Sequence, residues 1–143
     1  MQTSARNVFL GTVKAVRKGA INDEVELSVE GEKTIVAAIT RTSRERLGLK
    51  EGMQAAALIK ADFVLLMTDA DDYLLSTRNQ FKGKVAKITK GTVNAEVQVA
   101  LPDDSLITSV ITVNSVDRLG LALGSPVTAI VKAMNVIVAV PKQ

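Results

Sequence analysis

The chain has 143 residues, 47% of them hydrophobic, and carries 18 Lys and Arg against 15 Asp and Glu for a formal net charge of +3. It contains no His, no Cys and no Trp, which excludes Cys/His zinc sites, haem held through His or Cys, thiol or imidazole catalysis, and disulfide stapling. The hydrophobic fraction argues against disorder; an aromatic content of 3% is poor for stacking bases, and the small positive charge suits an anionic partner without demanding a nucleic acid.

In chain order, Met1-Gln2-Thr3-Ser4-Ala5-Arg6-Asn7 has no apolar run behind it and does not read as a targeting signal. No segment reaches the roughly 18 to 20 apolar residues of a membrane span, so a cytoplasmic protein with no membrane partner is expected. Ser4 and Arg6 lead into a first strand, and Gly19 to Asn22 form a turn. Glu24-Val25-Glu26-Leu27-Ser28-Val29 then alternates with period two, as a half-buried strand does. Thr34 to Thr40 is rich in strand formers. Ser43-Arg44-Glu45-Arg46-Leu47-Gly48 predicts about one helical turn, capped by Ser43 and ended by Gly48. Ala55 to Lys60 and Phe63 to Thr68 predict two further strands around a tight connection. Asp69-Ala70-Asp71-Asp72-Tyr73-Leu74-Leu75 is an acidic connector.

From Ser76 the whole series starts again. Residues 4–68 align with 76–140 at a constant offset of 72 without gaps, and 24 of the 65 aligned positions are identical, enough to define an internal duplication. The expected organisation is a first domain over 1–68, a linker over 69–75 and a second domain over 76–143. Strand, strand, strand, short helix, strand, strand is the order of a small Greek-key barrel of the oligonucleotide/oligosaccharide-binding type. The fold class is therefore all-β: two tandem OB-like small barrels, each with a short helix. Units of this size sit near the lower limit for independent folding, so burial against each other and against other chains is expected. The last apolar run, Val136-Ile137-Val138-Ala139-Val140, requires a neighbouring strand or becomes an aggregation edge.

No glycine-rich nucleotide-phosphate loop, HExxH or GxSxG elbow is present. The recurring carboxylates, Glu24/Glu96 and Glu45/Asp117, stand singly without an acid/base partner, and an enzyme is not expected. Recurring donors are more informative. Lys60 and Lys132 interrupt apolar strands, where each either snorkels to solvent or faces a ligand. Ser4/Ser76 and Arg6/Arg78 precede the first strand of each repeat, and Thr40/Thr112 with Ser43/Ser115 flank the helical turn. One guanidinium, one ammonium, hydroxyls and backbone N–H groups suit a compact oxyanion better than a polymer. Gly19/Gly91 and Asn22/Asn94 either satisfy a tight turn or build a second anion nest.

The ordered motifs Ser4-Ala5-Arg6-Asn7, Gly11-x-Val13, Gly19-x-x-Asn22-x-Glu24-Val25, Ile39-Thr40-x-x-Ser43, Leu47-Gly48-Leu49-x-x-Gly52 and Ile59-Lys60-Ala61 recur in the second repeat, with Thr77 for Ala5 and Val131 for Ile59. Over nearly its whole length the chain resembles the molybdenum-binding Mop (Mop/TOBE) family in its tandem form, the dimop molbindins. The resemblance implies a cytoplasmic homotrimer that stores molybdate, and tungstate with it, held as the intact oxyanion without direct ligation of the metal. It implies interface-type sites between units at Ser4, Arg6, Thr40, Ser43, Lys60 and Ala61, and at Ser76, Arg78, Thr112, Ser115, Lys132 and Ala133. It also implies a threefold-axis type at Gly19, Ala20 and Asn22 and at Gly91, Thr92 and Asn94. Repeat one departs at Asp23, where repeat two has Ala95; this carboxylate beside a proposed anion site predicts unequal halves. Two alternatives compete. One is an oxyanion-sensing module acting on a transporter or regulator, although the repeats leave little of this chain for an added domain. The other is a single-stranded nucleic-acid-binding barrel, which the low charge and single Tyr disfavour.

Overall fold

In the computed structural model, which describes residues 1–142, both repeats follow the predicted order. The first supplies β1 (Asn7–Arg17), β2 (Asn22–Val29), β3 (Lys33–Thr40), α1 (Arg41–Leu47), β4 (Gln54–Ile59) and β5 (Val64–Met67). The second supplies β6 (Asn79–Lys90), β7 (Asn94–Ala100), β8 (Leu106–Thr112), α2 (Val113–Arg118), β9 (Pro126–Val131) and β10 (Ile137–Ala139).

β1 is long because it serves two neighbours: Asn7 to Thr12 pair with β4, and Gly11 to Arg17 pair with β2. Its register against β2 slips between Val13 and Ala15, and β6 slips against β7 at the equivalent step, Val85 to Lys87. An extra residue at that point bends the strand and raises its twist, so each antiparallel sheet curls into a half-barrel. Gly11 stands where the curl brings backbones together: a Cβ there would lie 2.1 Å from the Ser28 carbonyl oxygen, and one on Gly83 would lie 2.3 Å from that of Ala100. Inside the first curl are Phe9, Val13, Val25, Leu27, Ile35, Ala57 and Ile59; Phe81, Val85, Val97, Val99, Ile107, Ala129 and Val131 fill the second. Asn7 and Asn79 are buried in the same positions, and the Asn7 side-chain amide donates to the Ile59 carbonyl at 3.3 Å.

The sheets exchange their last strands. One has the order β10-β4-β1-β2-β3 and the other β5-β9-β6-β7-β8. β4 and β5 therefore do not turn back on each other, as a tight connection between them would require. The 3-10 turn Ala61–Phe63 carries β5 onto β9 of the second repeat, and the turn Ala133–Asn135 carries β10 onto β4 of the first. The neighbour required by the apolar run Val136 to Val140 is thus β4. The compact units follow this exchange: Met1–Ile59 with the chain from Lys132 onward, and Lys60–Val131.

Each helix is capped three residues earlier than the spacing suggests. Thr40 and Thr112, not Ser43 and Ser115, are the N-caps, with extended backbone at the cap and a side-chain oxygen that accepts the serine N–H. Ser43 and Ser115 lie inside the first turn as the capped residues. Gly48 ends α1 in the left-handed region at φ 63°, as expected. Lys60 and Lys132 also stand just past β4 and β9 rather than within them, each opening a 3-10 turn. Among the described residues no helix is long and apolar enough to cross a membrane.

Candidate functional site

The strand exchange decides which predicted residues share a unit. The first unit holds Ser4, Arg6, Thr40 and Ser43 together with Lys132 and Ala133; the second holds Ser76, Arg78, Thr112 and Ser115 together with Lys60 and Ala61. In the first unit the turn Ala133–Asn135 packs on β3, and in the second Ala61–Phe63 packs on β8. The chain following each recurring lysine thus meets the strand that ends in the other repeat's hydroxyl pair.

That pair has the same geometry twice. Thr40 Oγ1 accepts the Ser43 N–H at 3.1 Å and donates to Ser43 Oγ at 2.9 Å; the Thr112–Ser115 distances are 3.0 and 2.8 Å. The cap consumes the serine N–H, one of the backbone donors expected at the helix start. Of the two hydroxyl protons one stays within the pair and the other is left to donate outward. Asn22 and Asn94 are the cross-strand partners of Thr40 and Thr112, so the two predicted sets adjoin along one ladder in each sheet. An open groove of about 360 Å³ in the first unit is lined by Asn22, Thr40 and Ser43, with an apolar wall that includes Ile39, Met134 and Ile137. Ser4 and Arg6 lie outside it, ahead of the Asn7–Ile59 end of the sheet. The groove therefore does not gather the whole interface-type set. Lys60 is exposed, with Nζ 3.6 Å from Asp62 Oδ2 and 6.0 Å from the Phe63 ring centroid; Lys132 is exposed too, with Met134 and Asn135 in the places of Asp62 and Phe63.

Gly19, Ala20 and Asn22 form the β1–β2 turn and are exposed, as are Gly91, Thr92 and Asn94 between β6 and β7. A Cβ on Gly19 would lie 2.2 Å from the Asn22 carbonyl oxygen, so close approach explains this glycine. The two turns are tied differently. Asp23 is 1% exposed; its Oδ1 accepts the Gly19 N–H at 2.9 Å, and its Oδ2 accepts from Arg44 Nε. The Gly19 N–H, and after it the Arg44 guanidinium, hold the Asp23 carboxyl below the usual carboxylate range. Arg41 Nη2 donates to the Gly19 and Ala20 carbonyls, at 3.5 Å each. In repeat two the equivalents of Asp23, Arg44 and Arg41 are Ala95, Val116 and Val113, and backbone bonds close the turn: Gly91 N–H to the Asn94 carbonyl at 2.8 Å and Val113 N–H to that of Val93 at 2.8 Å. Sequence reasoning singled out Asp23 but missed its arginines. The signal available was that all three charges are replaced together in the second copy.

Among the described residues no cluster of three or more His, Cys, Asp or Glu could hold a metal ion. Two curled antiparallel sheets thus carry duplicated, adjoining hydroxyl and amide side chains. The TOBE domain family matches residues 3–66 and 75–138, and the chain belongs to it, as a tandem Mop-type member. It is 41% identical over 140 residues to the molybdenum transport protein ModE of Herbaspirillum seropedicae and 45% identical over 141 residues to the molybdenum-pterin-binding protein MopA of Rhodobacter capsulatus. The matches cover 98% and 99% of this chain but 52% and 53% of those proteins, so the chain spans about half their length. A crystal structure of the cytoplasmic molybdate-binding protein ModG with molybdate bound superposes with a TM-score of 0.94 at 46% identity, covering 99% of this chain and 100% of that one.

Proposed function

We propose that the protein is a cytoplasmic, non-catalytic molybdate-binding protein that captures the oxyanion reversibly for molybdenum storage and homeostasis. The observation that carries this reading is the likeness to molybdate-bound ModG over the full length of both chains. The chemistry agrees with it. A tetrahedral dianion keeps its four oxygens and exchanges water for hydroxyl, ammonium and guanidinium donors. No step makes or breaks a covalent bond, and tungstate, with the same shape and charge, is bound by the same donors.

The binding residues are Ser4, Arg6, Thr40, Ser43, Lys60 and Ala61 with their copies in repeat two, and the turn set around Gly19 to Asn22 and Gly91 to Asn94. The groove alone does not hold the interface-type set, and in this reading copies of the chain complete it in a homotrimer, as the resemblance to the tandem Mop family implies. Binding at such boundaries stabilises the assembly by mass action. Native mass spectrometry with and without molybdate tests both claims: a trimer carrying intact molybdate is expected, and a monomer without bound oxyanion overturns the proposal.

The length of the relatives supports a second reading, in which the chain is the oxyanion-sensing half of a longer regulator or transporter component. Storage requires only that molybdate be taken up and released intact, whereas sensing requires a change of conformation on binding, which small-angle scattering of the apo and loaded protein would show.

A further inference from the structure

Repeat one already contains the kind of donor set that an oxyanion requires, and it is filled by the chain itself. The Gly19 N–H and the Arg44 guanidinium converge on the Asp23 carboxylate, which is 1% exposed, while Arg41 reaches over the same turn to two of its carbonyls. A cleft of about 280 Å³ opens beside the turn and is lined by Arg17, Lys18, Gly19, Asn22, Asp23 and Glu24. A dianion entering it finds the Gly19 N–H and the Arg44 guanidinium already taken by the Asp23 carboxylate, and Arg17 already paired with Glu24 and Glu26. Repeat two has no buried carboxylate at this place. Ala95 replaces Asp23 and Val116 replaces Arg44; the Gly91 N–H is bonded to the Asn94 carbonyl, so what the exposed turn offers is the Thr92 hydroxyl, where repeat one has Ala20.

We infer that Asp23 is an internal stand-in for the oxyanion, which closes the repeat-one turn and confines turn-type binding to the Gly91–Asn94 turn of repeat two. The inference rests on the proposed molybdate binding and adds that the two ends of the chain are unequal hosts. The paired replacement makes sense on this basis: a buried arginine without its carboxylate is costly, so both charges are present or both are absent.

The test is calorimetric titration of the full chain with sodium molybdate, folding being checked by circular dichroism. Asp23→Ala leaves the Gly19 N–H and the Arg44 guanidinium without their anion, and an additional binding step is expected that the wild type lacks. Adding Arg44→Val should remove that step again. Placing the pair in repeat two, as Ala95→Asp with Val116→Arg, should weaken the turn-type step of the wild type by about tenfold or more. A folded Asp23→Ala protein that saturates at the wild-type amount overturns the inference, as does an undiminished turn-type step in the folded repeat-two variant. If the repeat-two variant does not fold, Asp23→Ala decides alone. A wild type that takes up no molybdate overturns the functional reading instead, so the two failures are distinguishable.

Discussion

Lys60 and Lys132 occupy equivalent places and differ in their surroundings. Each follows a strand directly and opens a 3-10 turn, with the same extended backbone. Lys60 has Asp62 Oδ2 at 3.6 Å and the Phe63 ring at 6.0 Å, both of which compete for its ammonium. At the positions of Asp62 and Phe63, repeat two has Met134 and Asn135, so Lys132 is not drawn to a carboxylate there. A hydrogen bond to a charged group contributes about 1.5–3 kcal/mol, or roughly ten- to a hundredfold in affinity. Lys132→Ala should therefore weaken molybdate binding within that range, and Lys60→Ala should weaken it less, because Asp62 already offsets part of the charge. Calorimetry of the two variants checks the order as well as the size. Equal and negligible losses would leave only solvent-exposed lysines.

At the scale of elements, curvature depends on two glycines and two bulges. Gly11 lies where β1 passes from β4 to β2, and its missing side chain lets the Ser28 carbonyl come close. Gly11→Ala must push the strands apart at the bend, which should cost about 2–3 kcal/mol; a fall in the urea midpoint with an unchanged slope would show it, and Gly83→Ala should do the same. A wild-type midpoint would mean that the curl does not need the close approach. Strands and helices at this scale were readable from sequence because their signals are local: alternation at Val25, Leu27 and Val29, and the left-handed stop at Gly48. The helix cap was misread because Thr40 and Ser43 are both capping types three residues apart, and the choice rests on which one keeps an extended backbone. Asp23 was visible as a charge, but its burial was not: Arg44 lies 21 residues away and comes to it only when β2 and α1 pack together.

For the molecule as a whole, the exchange of β5 and β10 was the feature least accessible to sequence, since a strand has the same period whichever sheet accepts it. Its consequence is mutual dependence. The first unit lacks its edge strand without the second repeat, and β5 lacks β9 without it. A fragment of residues 1–75 keeps β1 to β4, exposes the β4 edge that Ile137 to Ala139 would cover, and carries β5 with no sheet to join. β5 is the repeat-one counterpart of β10, so the β5 of one fragment can cover the β4 of another, and two copies can satisfy each other reciprocally. Only four residues, Lys60 to Phe63, separate β4 from β5, and three of them form the turn that leads the chain away from its own sheet. We therefore expect the fragment to be a dimer by size-exclusion chromatography with light scattering, and shortening it to end at Ala61 should abolish that dimer. A fragment 1–75 that stays monomeric and folded would show that β5 can return to its own β4. The exchange would then arise from the pairing preferences of β9 and β10 and not from the connection at Lys60 to Phe63.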